Sequence, residues 1–499
     1  MKKTYKFVAL VLALMMSLSL ATFTASAEDD LSEHVVLTMY CIGDEGGIHA
    51  DEHLKILNEL LTEKINAEIQ PVMVSWGEYR QKLPMVWASG EAYDLTYAAS
   101  WTGYYTEGAK GAFMDITELA PKYAPQTYAL MEDRGAVDSL LIGGKLYMIP
   151  NYKEDWTTFI VNYREDLRKK YDCPEIVDYD TLAVYLQALK DNEPGMQPFG
   201  ANGSDAMAFQ LFLNENDWSR PLDNGVGFLV YDLQDPTHVF NVIDTPEYAE
   251  FVAKMHSYYE NGYVSKSIMA MTEQPVDQFK AGLSGTYLGN FSNSNGVYQE
   301  FTASHPDWEL GYFTSDMNSG YVESVTPANN GICVGAYSRH PERALMFVEL
   351  MYTDEEVYSV LMNGIEGVTF EWDPETRTKW APEGVDPAEL ALRNLGMQFG
   401  YDKFDLGSLN DSPVLNALKD EYRTCTIIPG LAGYSINQDE LSAELAALKA
   451  VQDEYKIPLD KGVVDPETGL NQLKDRLQAA GIDKVIETVN AQIAEYLGN

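Results

Sequence analysis

The sequence of 499 residues is too long for one ordinary hydrophobic core, so two or three domains or lobes are expected. Hydrophobic residues make up 45% of the chain and aromatic residues 12%, which argues against an intrinsically disordered protein. The formal net charge of −41 argues against binding to nucleic acid or to anionic membranes, because both surfaces repel a strongly acidic chain.

The first 27 residues have the pattern of a secretory signal peptide. Lysines near the N-terminus precede an apolar run over residues 7–20, and the A-S-A sequence at 25–27 matches a cleavage site. We therefore expect an exported protein, periplasmic or extracellular at the cell surface, cleaved near Ala27. An uncleaved anchor is the alternative. No cysteine near the cleavage region fits a bacterial lipobox.

The next segment alternates between strand and helix patterns. Residues 35–40, 67–74 and 93–97 predict buried strands, and residues 54–65 and 79–89 predict helices between them. Strands that alternate with helices indicate a parallel sheet with helices on both faces. In such sheets, the ligand binds where loops follow the carboxyl ends of the strands.

Polar and aromatic residues follow each of these three strands. Asp44 and Glu45 follow the first strand, Trp76 follows the second, and Trp101 and Tyr104 follow the third. All of them should project from the same edge of the sheet, which makes them candidates for a ligand-binding surface. Packing between loops is the alternative for the aromatic residues, since aromatic side chains also dominate protein cores.

Residues 46–57, GGIHADEHLKIL, contain the H-x-x-E-H motif formed by His49, Glu52 and His53. One group of zinc peptidases uses this motif, in which the histidines bind the metal and the glutamate activates water. Two glycines precede His49, and the leucine stripe begins only after the motif. We therefore expect His49 before or within the first helical turn, with Asp51 as the N-cap. A zinc site is the weaker interpretation, and no metal or cofactor is expected.

A second alternating pattern begins after about residue 140, and the chain becomes almost entirely helical from Asp439 onwards. Apolar stripes over 441–448, 470–477 and 486–493 indicate a helical layer packed on one lobe. Strands are predicted at 145–149, 158–162, 284–290 and 331–336, and helices at 181–190 and 246–261.

The four cysteines are scattered along the chain and contain no C-x-x-C pair. This pattern is neither the disulfide framework of a small secreted domain nor a metal cluster. Packed free thiols are the preferred interpretation, and one or two disulfides formed after export are the alternative. The positions are Cys41, Cys173, Cys333 and Cys425.

Four segments carry a family resemblance, in matching order and spacing. They are GGKLYMIP (143–150, similar to a G-K-x-Y-x-x-P motif), YDLTYAASW (93–101), VNYREDLRKKY (161–171) and the S-x-x-P-E-x-A helix within 338–356. Together they resemble bacterial extracellular solute-binding proteins of ABC importers. Within that family, the resemblance is greater to the large oligosaccharide-binding group related to maltose-binding protein.

Segments near the C-terminus narrow the resemblance. Residues 363–372, 412–422 and 459–487 are similar to the LipO-like subgroup, whose members carry an additional C-terminal domain. This sequence departs from the pattern in lacking the usual lipoprotein cysteine. It also has GNFS at 289–292, where many relatives have a tryptophan near the strand. This second departure argues against a simple disaccharide sandwich at that position.

The resemblance implies an α/β fold of two lobes, periplasmic-binding-protein-like, with hinge crossovers and a helical C-terminal extension. Such lobes close over a ligand held between them. The chain would leave lobe one near Asp115, return near Ser284 and cross again near Ser324. Lobe one would then be 28–118 and 284–324, lobe two 119–283 and 325–400, and the mostly helical region 401–499 would pack on lobe two.

The resemblance also implies a cleft in which aromatic rings stack on sugar faces while carboxylates and amides bind hydroxyl groups. Glu366, in the sequence NGIEGV, either supports this cleft or forms an exposed turn. For each carboxylate, a helix cap or a solvated surface position is the alternative. The candidate ligand-binding residues are Asp44, Glu45, Trp76, Asp94, Trp101, Tyr104, Trp156, Trp218, Asn290, Phe291 and Glu366.

The preferred hypothesis is a monomeric component of an ABC importer that captures an oligosaccharide and delivers it to membrane permease subunits without catalysis. A peptide- or other polar-solute-binding protein of the same fold is the alternative. A sugar-binding surface sensor also stays open. A hydrolase is a weaker hypothesis, whether it uses zinc at His49, Glu52 and His53 or a pair of glycosidase carboxylates.

Overall fold

The computed structural model describes residues 31–498 except 204–205, 222–226, 316–319, 386–388, 394, 396–399, 435 and 439. The signal peptide predicted at 1–27 lies outside the described residues. Within them, the chain forms two lobes with separate hydrophobic cores. No described helix is long and apolar enough to cross a membrane.

A five-stranded sheet forms the centre of the first lobe. Strand Val35–Ile42 pairs in parallel with Ala67–Val74 and with Leu95–Ala98, as the alternating pattern predicts. Gly331–Val334 then pairs antiparallel with both Leu95–Ala98 and Met148–Pro150. The order across the sheet is 67–74, 35–42, 95–98, 331–334 and 148–150.

Helices cover this sheet with their apolar sides. In helix Ala50–Ile65, Leu57, Leu61 and Ile65 lie one turn apart and are buried. Asn66 ends the helix in the left-handed conformation (φ 47°), and its N–H donates to the carbonyls of the last turn. The other helices of this lobe are Tyr79–Ala88, Tyr104–Ala109, Ala120–Tyr123, Pro125–Asp133, Val137–Leu140, Pro341–Thr353 and Glu355–Asn363.

Two antiparallel sheets form the second lobe. Strand Ile160–Arg164 lies between Thr286–Gly289 and Leu310–Phe313. The other sheet contains Trp218–Ser219, Leu229–Asp232 and Asp235–Asn241. The helices around them are Glu165–Lys170, Tyr179–Asn192, Met207–Glu215, Pro246–Glu260, Pro275–Lys280 and Phe291–Ser304.

The C-terminal helices share the core of the second lobe. Leu448, Leu473 and Val489 are fully buried in the same cluster as Phe228 and Tyr248. These helices therefore complete the lobe and do not form a core of their own. They are Ser442–Val451, the π-helical turn Gln452–Lys456, Ile457–Asp460, Pro466–Ala479 and Ile482–Tyr496.

A buried charge pair joins the C-terminal helices to helix Pro246–Glu260. The Lys456 ammonium lies 2.5 Å from the carboxylate of Asp460 and 3.2 Å from the centre of the Phe209 ring. The Tyr248 hydroxyl donates to the other Asp460 oxygen at 2.6 Å. Burial lowers the pKa of Lys456, and Asp460 opposes that shift. Removal of either charged partner would leave an uncompensated buried charge.

Three segments connect the lobes and pair with one another. The first is residues 151–159, the second contains Val322–Glu323, and the third contains Thr426–Ile427. Val322–Glu323 pairs in parallel with Thr426–Ile427, and Ser324 forms an antiparallel bridge with Trp156. We call these paired segments the hinge ladder. Their backbones hydrogen-bond to one another where the chain lies outside the sheets of both lobes.

The sequence-based exit from lobe one near Asp115 is wrong. Asp115 lies inside the first lobe, where its carboxylate is 3.0 Å from the ammonium of Lys145. The next residue, Ile116, is buried in the first core and donates its N–H to Leu146. The chain leaves this lobe only after strand Met148–Pro150.

The assignment of the two later segments to lobes is also wrong. Strand Thr286–Gly289 pairs with Ile160–Arg164, so the part of 284–324 that contains it belongs to the second lobe. Strand Gly331–Val334 belongs to the first sheet, so it was misplaced with 325–400. An apolar run shows that a strand is buried, but it does not identify the strand with which it pairs.

The cysteines are free thiols, as the scattered pattern predicts. Cys41, Cys173 and Cys333 are buried, while Cys425 is partly exposed. Burial raises the pKa of the Cys41 and Cys333 thiols, which keeps both protonated and unreactive at neutral pH.

The shared core predicts that the C-terminal helices stabilise the second lobe. Leu448→Ala should lower the free energy of unfolding by about 2–5 kcal/mol, because the substitution leaves a cavity among packed side chains. Leu409→Ala is the matched control, since Leu409 is 68% exposed and its loss should cost under about 0.5 kcal/mol. Urea unfolding followed by circular dichroism measures both. Equal effects would contradict the shared core.

Candidate ligand-binding site

Two indole rings lie at the edge of the first sheet that faces the second lobe. Trp76 follows strand Ala67–Val74, and Trp101 follows Leu95–Ala98. Residues 151–159 leave the sheet from this same edge, so the rings lie beside the hinge. The ring centroids are 6.4 Å apart and the planes differ by 12°. We call Trp76 and Trp101 the indole platform.

The spacing of the platform limits how it can bind a ring-shaped ligand. A sugar held between two indoles needs roughly 7–8 Å between them, which is two carbon–carbon contact distances. The centroid distance of 6.4 Å is too short for this arrangement. Trp76 is 42% exposed, so the platform presents an outer surface on which a ligand can stack.

Three neighbours hold the platform in place. The ring of Tyr79 meets both indoles edge-on, with centroids 5.6 Å from each. The Oδ1 of Asn330 accepts hydrogen bonds from the Trp101 indole at 3.3 Å and from the Tyr97 hydroxyl at 2.6 Å. Burial raises the pKa of Tyr97 well above its usual value, so its hydroxyl stays protonated. A cavity of about 140 Å³ adjoins Trp101, lined by Tyr79, Arg80, Leu83, Pro84, Trp87 and Thr102.

Asn330 and Tyr97 are not among the residues that the sequence predicts for the site. The sequence places Tyr97 only within the third predicted strand. Asn330 directly precedes strand Gly331–Val334, which pairs antiparallel with Leu95–Ala98. Its position at the edge of the platform becomes apparent only once that pairing is known.

The loop after the first strand is exposed and is held by a later segment. Asp44 and Glu45 are exposed, and the guanidinium of Arg393 lies 3.3 Å from Glu45 and 2.5 Å from Asp51. Gly46 adopts φ +81°, and a Cβ there would lie 2.7 Å from the backbone nitrogen of Arg393. Only glycine fits this close approach. Asp44 stays a predicted ligand contact, whereas the Glu45 carboxylate already has a cationic partner.

The structure corrects the predictions for Asp94 and Tyr104. Asp94 is 6% exposed, and its two oxygens accept from the Thr38 N–H at 2.9 Å and the Ser338 hydroxyl at 2.7 Å. It lies at the amino end of its strand, away from the platform. Tyr104 is fully buried and donates its hydroxyl to the Leu140 carbonyl at 2.6 Å. Both residues stabilise the first lobe.

The predictions for Trp156 and Phe291 are corrected as well. Their rings lie 5.3 Å apart, and both are almost fully buried. Helix Pro413–Cys425 covers them with Leu415 and Tyr422. The Trp156 indole donates to the Thr426 hydroxyl at 3.0 Å, which joins the first and third segments of the hinge ladder. These aromatic residues therefore form the core beneath the hinge.

Three other candidates have local structural contacts. Asn290 caps helix Phe291–Ser304, and its side chain accepts from the Asn293 N–H at 2.9 Å. Trp218 packs edge-on against Phe212 and Phe240, within the second lobe. Glu366 is exposed in a turn closed by a hydrogen bond from Gly367 to Phe370. The structure does not bring these residues into the platform.

The H-x-x-E-H motif lies at the start of a helix, as the two glycines before it predict. His49 is the N-cap of helix Ala50–Ile65, so the prediction of Asp51 as N-cap is wrong. His53 is fully buried, and its Nε2 lies 2.6 Å from the Val360 carbonyl. His49 is half-buried and contacts Glu52 at 3.4 Å. The two imidazoles therefore have different partners, and the described residues contain no group of three or more metal ligands.

Two acidic residues lie within the hinge ladder. Burial raises the pKa of Asp155 to about 6, although the Trp156 N–H donates to it and Lys419 and Lys153 lie nearby. Burial also raises the pKa of Glu323, which accepts from the Thr157 hydroxyl at 2.8 Å and the Ser219 hydroxyl at 2.5 Å. Glu323 thus joins the first and second crossing segments to the second lobe.

Comparison with known proteins places this architecture in a family. Residues 55–367 match the bacterial extracellular solute-binding proteins. The chain belongs to this family. Residues 430–498 match a second family, a domain of unknown function. The C-terminal helices of this solute-binding protein therefore coincide with a sequence unit found elsewhere, although they share a core with the second lobe.

Similar proteins are found in Streptococcus pneumoniae. One is described as a carbohydrate ABC transporter substrate-binding protein, and it is 24% identical over 94% of this chain and 92% of the relative. The crystal structure of the N-glycan transport solute-binding protein NgtS is 22% identical, covers 93% of this chain and 99% of its own, and has a TM-score of 0.74.

A third similar structure is the S. pneumoniae substrate-binding protein FusA in complex with kestose. It is 16% identical, covers 93% of this chain and 100% of its own, and has a TM-score of 0.69. These similarities confirm the predicted α/β two-lobe fold with its helical C-terminal region. The LipO-like subgroup stays a prediction.

The raised pKa of Asp155 predicts a pH dependence of stability. A protonated Asp155 favours the folded state fully below its ordinary pKa of 3.8, and this contribution is lost as the pH rises through about 6. The free energy of unfolding of the wild type, minus that of Asp155→Asn, should therefore fall between about pH 4 and 6 and stay constant above pH 7. Urea unfolding across this range measures the difference. A difference that rises with pH would contradict burial as the dominant cause.

Proposed function

We propose that this protein binds an oligosaccharide on the indole platform, between its two lobes, and delivers it to the permease subunits of an ABC importer. The observation that carries the proposal is the nearly parallel pair of indoles on the lobe edge beside the hinge, of which Trp76 is exposed and Trp101 partly buried. Family membership supports transport as the biological process. The relatives described above as carbohydrate or glycan transport proteins support sugar as the solute.

The chemistry of the platform suits a sugar. A pyranose ring presents C–H groups on its faces and hydroxyl groups on its rim. The faces pack on aromatic rings, and the rim needs hydrogen-bond partners in the same place. Asp44 and the amide of Asn330 lie on the loops next to the indoles. Closure of the lobes would exclude water, and a hydrogen bond to a charged group is then worth about 1.5–3 kcal/mol.

We also propose that the protein binds its ligand without catalysing a reaction. The protein would hold its ligand as a monomer and release it unchanged. It would act outside the cytoplasm after cleavage near Ala27, with no lipid on a lipobox cysteine. Mass spectrometry of glycan recovered after incubation tests the first point, since any hydrolysis product would contradict it.

A ligand screen tests the proposal directly. Isothermal titration calorimetry with Man1GlcNAc, Man5GlcNAc and kestose, beside a set of tri- to pentapeptides, compares the two solute classes. We expect at least one glycan to bind and the peptides not to bind. Binding of peptides with no glycan binding would favour the alternative solute, and would leave the transport family unchanged.

The two tryptophans of the platform should contribute more to glycan affinity than a tryptophan outside it. Trp76→Ala and Trp101→Ala should each weaken glycan binding by about 10-fold or more, because each removes a stacking surface worth about 0.5–1.5 kcal/mol beyond its area. Trp372→Ala is the matched control, since this half-buried tryptophan belongs to the Glu371–Asp373 strand and not to the platform. Calorimetry measures the three affinities. An equal loss in all three variants would show that stacking on the platform does not hold the glycan.

A further inference from the structure

We propose that Asn330 both positions the Trp101 indole and donates a hydrogen bond to an acceptor oxygen of the bound sugar. The inference deepens the proposed function and rests on it for the identity of the ligand. The positioning part rests on protein contacts alone. The amide of Asn330 therefore holds the Trp101 ring in place and also contacts a polar atom of the ligand beside that ring.

The orientation of the Asn330 amide follows from its partners. An indole N–H can only donate a hydrogen bond, so the atom 3.3 Å from the Trp101 nitrogen must be the amide oxygen. The Tyr97 hydroxyl donates to the same oxygen at 2.6 Å. The NH₂ group must then point to the other side. Its two N–H groups make no hydrogen bond to any residue that the structure describes.

The unused donors lie where a ligand would be. Asn330 is partly exposed, and it stands at the platform edge, between Trp101 and the start of strand Gly331–Val334. A glycan stacked on the indoles would bring hydroxyl, ring or acetamido oxygens to this position. All of these oxygens accept hydrogen bonds, and the neutral amide of Asn330 can donate to them.

Asn330 is also tied to the crossing between the lobes. Its carbonyl accepts from the N–H of Asn151 at 2.8 Å, and Asn151 begins the first crossing segment. The same residue thus contacts the platform through its side chain and the hinge ladder region through its backbone. Movement of the crossing segments and orientation of Trp101 are therefore linked through one residue.

Three variants separate the two parts of the proposal. Asn330→Ala removes both the acceptor for Trp101 and the ligand donor. Asn330→Asp keeps an acceptor for the indole but has no donor for the ligand. Asn329→Ala is the matched control, because among the described residues no hydrogen bond joins the side chain of this neighbouring asparagine to the platform. All three are made in the full chain.

The first measurement is hydrogen exchange of the Trp101 indole N–H by ¹⁵N NMR, with its signal assigned by its loss in Trp101→Phe. The exchange should be faster in Asn330→Ala and close to wild type in Asn330→Asp and Asn329→Ala. A general loss of structure would change the exchange rates of the other indole N–H groups as well as that of Trp101. Unchanged exchange in Asn330→Ala would overturn the positioning role, whether or not any glycan binds.

The second measurement is affinity for whichever of Man5GlcNAc and kestose binds the wild type more tightly. Asn330→Asp should bind about 10-fold more weakly despite a correctly held indole, since one hydrogen bond of up to about 1.5 kcal/mol is lost. Wild-type affinity in Asn330→Asp would overturn the ligand contact. Absence of glycan binding by the wild type would instead refute the proposed function, and the exchange measurement would still decide the positioning role.

Discussion

The two lobes have separate cores, so their relative position depends on the hinge ladder. Each crossing segment leaves a sheet and would lose its backbone hydrogen-bond partners if it crossed alone. The pairing of Val322–Glu323 with Thr426–Ile427, and of Ser324 with Trp156, supplies those partners. The Trp156 indole and the Glu323 carboxylate add side-chain contacts between the same segments. Rotation of one lobe against the other therefore has a defined axis, formed by three short pieces of chain.

The indole platform lies next to this rotation axis. Residues close to a hinge move little when lobes rotate, so a stacking surface there can bind a ligand before closure and keep it afterwards. The bracing of Trp101 by Tyr79 and Asn330 restricts the indole to one orientation. A restricted ring loses less conformational entropy when a ligand binds than a mobile one would.

The sequence predicts local structure well and long-range pairing poorly. Periodicity located the first three strands and their helices, because each pattern is contained within a few residues. It could not show that Gly331–Val334 lies beside Leu95–Ala98, since burial makes every central strand look alike. For the same reason, Trp76 and Trp101, which follow predicted strands, are predictable from the sequence, whereas Asn330 is not. Tyr104 and Trp156 were misplaced because an aromatic residue near a site has the same sequence signature whether it is exposed or covered.

The interleaving of the chain has a consequence for how the protein is made. The first lobe needs Gly331–Val334 to complete its sheet and the helices up to Asn363 to cover it, and the second lobe needs residues up to Ile493 for its core. The second lobe therefore cannot reach its native packing until nearly the whole chain has emerged from the ribosome or from an export channel. Contacts across such long separations slow folding, because loop closure must precede them. The order of synthesis therefore allows the first lobe to fold before the second, whose core waits for the last helix of the chain.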